Sequence, residues 1–304
     1  MRITLVLAAL VAGFAPATLG AQRMPPPMTG AARGAPQPAL MQDYTKFSVT
    51  PPPAELELDP FYKKYANAQG IPVVSSEKVP DAALLMARDI VTFMLSERPD
   101  LRKELIRKKW KVAIMAQTEV TYDIPEHRKY RLLPKIDDER LTPQQRANYN
   151  NPGGVGTLTG EQYWNSRGRG FGGEPDGENT TSCAEENLLG YPNTPYFGQP
   201  LLMHEFSHGI MRGAIYTVDP GYRKAVEAAY ASAKAKGLKS AQGYNGNNFN
   251  EYWAGGVEYY THYDEKARQT LLETDPQLYE LVKQVMPAHR PTGNVYAGRA
   301  RFPW

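Results

Sequence analysis

His204-Glu205-Phe206-Ser207-His208 reads H-E-x-x-H. On a helix, residues four apart sit on one face, one turn from each other. Two imidazoles so placed can hold one Zn²⁺ at about 2.0–2.1 Å. The glutamate between them lies near the same edge. It can take a proton from water held at the metal without being a ligand itself. That set is the minimum apparatus for hydrolysing an amide bond with zinc. Two hydrogen-bonded core histidines would spell the same letters, so the surrounding sequence decides.

From Phe197 onward the chain reads as helical. Pro200 suits a first helical position, and Gly213 suits a stop after Met211-Arg212. Leu201, Leu202, Met203, Phe206 and Ile210 make this helix apolar on most sides, so it should be buried. A buried helix is a costly place for two histidines and a glutamate unless a dication offsets the cost. Asp219-Pro220 opens a second helix, 221–236, ended by Gly237. A Gly/Asn-rich loop follows, then Asn250 caps a third helix, 251–263, and a last one covers 277–285.

A catalytic zinc needs a third protein ligand and one open position. Glu251, at the polar start of the third helix, is the first candidate. Glu258 is the rival, seven residues further on and on the same face. Glu258 or His262 would otherwise orient the ligands from behind. His127 and His289 lie far from the motif and read as surface residues.

Upstream, Ile71-Pro72-Val73-Val74 reads as a short strand, 82–95 as an amphipathic helix behind Asp81, and 100–109 as a charged helix. Val112 to Ala116 follows as a buried strand, completing a β-α-β unit. The basic run around Trp110 reads as a solvated face with one anchoring tryptophan. Residues 121–198 hold few helical patterns. Within them, 167–173 reads as a glycine-rich loop near the cleft, and Thr180 to Ala184 as a short strand. Asn179-Thr180-Thr181 matches the glycosylation acceptor pattern.

The chain has 304 residues, 41% hydrophobic and 22% charged, with a formal net charge of +3. A buried core is within reach. No charge excess demands nucleic acid or anionic lipid as a partner. Residues 1–21 have a positive start, an apolar stretch too short to span a bilayer, and small residues beyond it, as an export signal does. Residues 22–57, rich in Pro and Ala, read as a tether, and 58–304 as the folded domain. The single cysteine, Cys183, leaves no internal disulfide and reads as a buried structural thiol.

H-E-F-S-H, then Tyr244 seven residues ahead of Glu251 in N-E-Y-W-A, resembles the gluzincin metallopeptidases of the lethal-factor type, which share H-E-F-x-H … Y … E-F-F-A. The chain is also similar to a group of secreted bacterial and fungal metallopeptidases through residues 71–73, the 168–173 loop and Glu185-Glu186-Asn187-Leu188-Leu189. The likeness covers about residues 60–265 and is specific only at the metal motifs. It implies that His204, His208 and Glu251 bind zinc, that Glu205 is the general base, and that Tyr244 donates to the oxyanion. One departure is Gly255, where that type carries a second acid one turn after the ligand glutamate.

The fold expected is α+β and zincin-like. A small mixed sheet lies over the H-E-x-x-H helix, and a mostly helical C-terminal part supplies Glu251. Val112 to Ala116 is expected to be the edge strand that receives an extended peptide. The function expected is a secreted or periplasmic zinc metallopeptidase acting on a peptide or protein, with no nucleic-acid partner and no stable membrane insertion. Two rivals stand beside it: an extracellular zinc-binding protein without peptidase activity, and a metal-dependent hydrolase of a non-peptide substrate. Tyr244, Phe249, Tyr252, Trp253, Tyr259 and Tyr260 would suit sugar stacking or a core equally well.

Overall fold

Ile71, Val73, Val112 and Ile114 face one side of a sheet, while Val74, Ala113 and Met115 face the other, and all are buried. A sheet covered on both faces explains why these strands read as unbroken apolar runs. The computed structural model describes residues 49–138, 141–175, 178–194 and 196–291. The expected export signal, most of the tether and the tail from 292 lie outside the described residues.

β1 (Lys64–Ala68) and β2 (Ile71–Ser75) form an antiparallel hairpin. Its turn is Gln69-Gly70, with φ of 52° and 99°, the double positive of a type I′ loop. α1 (Asp81–Met94) and α2 (Pro99–Arg107) cross to β3 (Lys111–Met115), parallel to β2. After α3 (Pro143–Ala147) and α4 (Gly160–Arg167) come β4 (Gly170–Phe171), β5 (Thr180–Ala184) and α5 (Glu185–Leu188). α6 (Leu201–Ile210) carries the metal motif and runs through a π turn (Met211–Ile215) into α7 (Tyr216–Val218). α8 (Pro220–Lys236), α9 (Phe249–Thr261), α10 (Glu265–Thr274) and α11 (Pro276–Lys283) complete the helical part.

The sheet order is β1-β2-β3-β5-β4, parallel through β2, β3 and β5 and antiparallel at both edges. α6 packs on β5 from one side and on α9 from the other. The architecture is thus the expected α+β one, with a small mixed sheet over the motif helix and a mostly helical C-terminal part. Among the described residues no helix is long and apolar enough to cross a membrane.

Several local expectations need correction. Val112 to Ala116 is not an edge strand: β3 is hydrogen-bonded to β2 and β5 on its two sides. The edge beside α6 is β4, only two residues long and without an apolar alternation to betray it. Gly213 does not stop the helix. A Cβ there would come within 2.6 Å of the Leu105 side chain and 2.8 Å of the Trp110 ring, so the missing side chain serves close packing. Asn248, not Asn250, caps α9. Order also starts before residue 58, since Thr50 bridges to Tyr65. Trp110 is fully buried and donates Nε1–H to Thr181 Oγ1 at 3.0 Å, as an anchor should. Asn179 gives its side-chain N–H to the Lys108 carbonyl. Cys183 is buried, as expected of a structural thiol.

A buried polar knot ties β4 to the end of β3. The Arg169 guanidinium donates to both oxygens of Glu186 (2.5 and 3.0 Å) and to the Glu119 and Ala116 carbonyls (2.5 and 3.1 Å). Glu185 beside it has no such partner on Oε2. Burial, with Glu186 and Glu119 nearby, pushes its carboxyl up to about 7, against the pull of the Gln117 N–H and Arg169. A raised folded pKa means stability that is complete below the ordinary value of 4.5 and lost as pH rises through about 7. E185Q should therefore melt close to the parent at pH 4 and above it at pH 8. Equal melting temperatures at pH 8 would show that the carboxylate is not penalised.

Candidate active site

Residues 201–210 form the motif helix because a buried apolar stripe seats it against β5 and α9. His204 and His208 project one turn apart, and α9 brings Glu251 to meet them. His204 Nε2 lies 3.3 Å from His208 Nε2 and 3.3 Å from Glu251 Oε2, and His208 Nε2 lies 3.4 Å from the same oxygen. Tetrahedral ligands at about 2.0–2.1 Å from one ion stand about 3.3 Å apart. The triangle therefore has the edge length of one face of a zinc-sized coordination sphere. No fourth His, Cys, Asp or Glu among the described residues joins the group. Three protein donors and an unfilled fourth corner is the pattern of a catalytic rather than a structural metal site.

The donors are held from behind. His204 Nδ1 faces Glu258 Oε2 at 3.3 Å, which leaves Nε2 to present its lone pair. The seven-residue spacing of Glu251 and Glu258 puts both on one face of α9. Glu258, the rival ligand, thus stands behind the His204 ring and outside the triangle. His262 Nδ1 accepts the Asp264 N–H. Asn248 Oδ1 accepts the N–H groups of Asn250 and Glu251 (2.9 and 3.0 Å), fixing the first turn of α9 and the Glu251 backbone with it. Asn250 turns inward and accepts from the Tyr216 hydroxyl.

Charge is concentrated here among buried side chains. Burial opposes a charged His204, yet hydrogen bonds to Glu251 and Glu258 and the charge of Glu205 hold its pKa well above the ordinary value. Burial holds His208 below it. Glu251 stays well below the usual carboxylate range: burial works against this, but the His208 charge and the hydrogen bonds from both imidazoles prevail. A cation entering the triangle competes with the proton on His204, so metal uptake is coupled to proton release. Burial is the largest influence on Glu205 and raises it to about 7, with Glu251 and Glu258 adding to the effect and His204 and Arg212 opposing it. A dication next to it would draw that value down again.

β4 lies directly on α6. A Cβ on Gly170 would stand 2.8 Å from Glu205 Cγ, and one on Gly172 would stand 2.4 Å from His208 Cβ. Glycine at these two positions lets the sheet edge set the side-chain positions of both groups. A cleft of about 630 Å³ opens in front, lined by His204, Glu205, His208 and Glu251, with Tyr244 and Arg212 among its walls. Tyr244 is 52% exposed, and its hydroxyl lies 3.4 Å from the second oxygen of Glu251.

All five residues singled out from the sequence therefore meet at one cleft. His289 is at the surface, as expected. His127 is not: it is fully buried, 3.0 Å from Ser182 Oγ, with its ring against Phe171. Arg212, Asn248 and the Gly170/Gly172 seat were not anticipated. The i, i+4 spacing of His208 and Arg212 was the available signal for the first.

E258Q should weaken metal affinity about 10- to 100-fold, the usual effect of losing a carboxylate behind a ligating histidine. Competition with a calibrated chelator measures it, and an unchanged dissociation constant would remove Glu258 from the site.

No known family model matches the chain, and no curated protein matches it. Among solved structures it is similar to the Pro-Pro endopeptidase PPEP-2 from Paenibacillus alvei, at 17% identity over 70% of this chain and 97% of that one, with a TM-score of 0.42. A likeness that slight carries no weight for function, which the residues themselves must decide.

Proposed function

We propose that this chain is a zinc-dependent metallopeptidase, exported by its first 21 residues. The observation that carries the reading is the triangle of His204, His208 and Glu251 donor atoms, 3.3–3.4 Å on each edge, with the Glu205 carboxylate on the same helix at the same cleft. Two nitrogens and one oxygen suit zinc, whose borderline character accepts both.

Zinc bound there would polarise the scissile carbonyl and bring the pKa of a coordinated water near 7. The chain's own residues do the rest. Glu205 takes a proton from the attacking water and passes it to the leaving amine. Tyr244 donates its hydroxyl to the carbonyl oxygen as negative charge builds there. Glu258 keeps the His204 ring in one orientation throughout. A protein that merely binds metal has no use for an acid at position 205.

E205Q should retain one zinc per chain by elemental analysis and lose about 10²- to 10⁴-fold in kcat/KM on a peptide selected from a library digest. A variant as active as the parent would end the general-base role. One zinc with no chelator-sensitive cleavage by the parent would favour a binding protein instead.

Y244F should lower kcat by about 10²-fold, the scale of one oxyanion donor, while KM changes little. A rise in KM with kcat intact would make Tyr244 a substrate-binding residue only.

A further inference from the structure

Among the described residues, four arginines close the Nε/Nη2 edge of the guanidinium on a carboxylate. Arg88 does so on Asp89, Arg98 on Asp100, Arg107 on Glu104 and Arg169 on Glu186, all at 2.5–3.0 Å. Arg212 does not. Its Nη1 donates to Glu174 Oε1 at 2.6 Å and to the Gly173 carbonyl at 3.3 Å. Among the described residues no group accepts from its Nε or Nη2. Those two donors form the side of the fork that matches a carboxylate bidentately. Arg212 lines the cleft beside Glu205 and His208.

The backbone places it there by an uncommon route. Four residues of α-helix overshoot one turn by about 40°. The π turn Met211–Ile215 begins just ahead of Arg212, and its wider winding reduces that overshoot. His204, His208 and Arg212 thus follow one stripe of the helix. Glu174 holds Nη1, which fixes the plane of the fork and leaves Nε and Nη2 for another acceptor. Lys239 adds a second, exposed cation to the same cleft, with no ion-pair partner among the described residues.

We propose that Arg212 is a specificity residue that receives a carboxylate of the substrate, so that the cleft selects peptides carrying an acidic side chain or a free C-terminus near the bond to be cut. This rests on the peptidase reading of the cleft. The carboxylate seats on Nε and Nη2, and Lys239 contributes longer-range attraction. The two sources of that carboxylate share one chemistry and are separable by experiment.

Binding tests the proposal without requiring turnover. Zinc-loaded E205Q protein is titrated with peptide pairs that differ only by Glu against Gln at each of six positions, and with one peptide in free and amidated C-terminal forms. Binding is read by calorimetry. One acid member should bind roughly 10- to 100-fold more tightly than its amide partner, the range of a charge-assisted bidentate pair. Preference in the Glu/Gln series assigns a side chain, and preference in the free/amidated pair assigns a terminus. Adding R212Q to E205Q should abolish the difference. R212K should lose most of it while keeping the charge and the contact with Glu174, which covers the case in which R212Q folds poorly. Equal binding of every acid and amide pair would overturn the proposal, as would a preference that survives R212Q. Neither result touches the peptidase reading, which stands or falls on cleavage by the parent.

Discussion

The packing of α6 on α9 brings two imidazole nitrogens and a carboxylate oxygen to within 3.3–3.4 Å of one another at a largely buried interface. Three lone pairs that face one another repel, and no apolar contact makes that favourable. Something positive must sit among them, either a shared proton or a cation. Much of the surrounding structure serves this demand. Glu258 turns one ring, the Asn248 cap sets the helix that carries the oxygen, and two glycines let the sheet edge press on the other helix.

The same demand links stability to ligation. The chain has one cysteine, and it is buried and unpaired, so no disulfide closes the fold. Most of the stability comes from the apolar layer between the sheet and α1, α6 and α9. A metal-free interface between α6 and α9 would be the weak seam of that layer, and a bound cation would tighten it from within.

The motif residues were legible because metal chemistry constrains residue type and spacing together. Two histidines four residues apart share one helix face, and Glu251, with Glu258 as its rival, stood at the next polar helix start, so their meeting could be expected. The β-α-β unit was legible for a similar reason, since continuous apolar runs and one amphipathic helix repeat a physical period. β4 was not, because two residues carry no period at all and its glycines read as a loop. The place of β3 in the middle of the sheet depends on β5 pairing beside it across a long separation in sequence, which local pattern does not encode. His127 was misread because a histidine far from the motif says nothing about its burial. Gly213 looked like a stop because the partners it makes room for, Leu105 and Trp110, lie about a hundred residues away.

Gly255 has a consequence of its own. A Cβ there would fall 2.4 Å from Asn245 Nδ2, so the strap that bears Tyr244 rests on bare backbone of the helix that bears Glu251. The hydroxyl and the carboxylate are therefore gauged against each other by a single missing methyl. An acid at 255 would have to push the Asn245 side chain aside, so changes at these two positions should act on each other and on the seating of the strap.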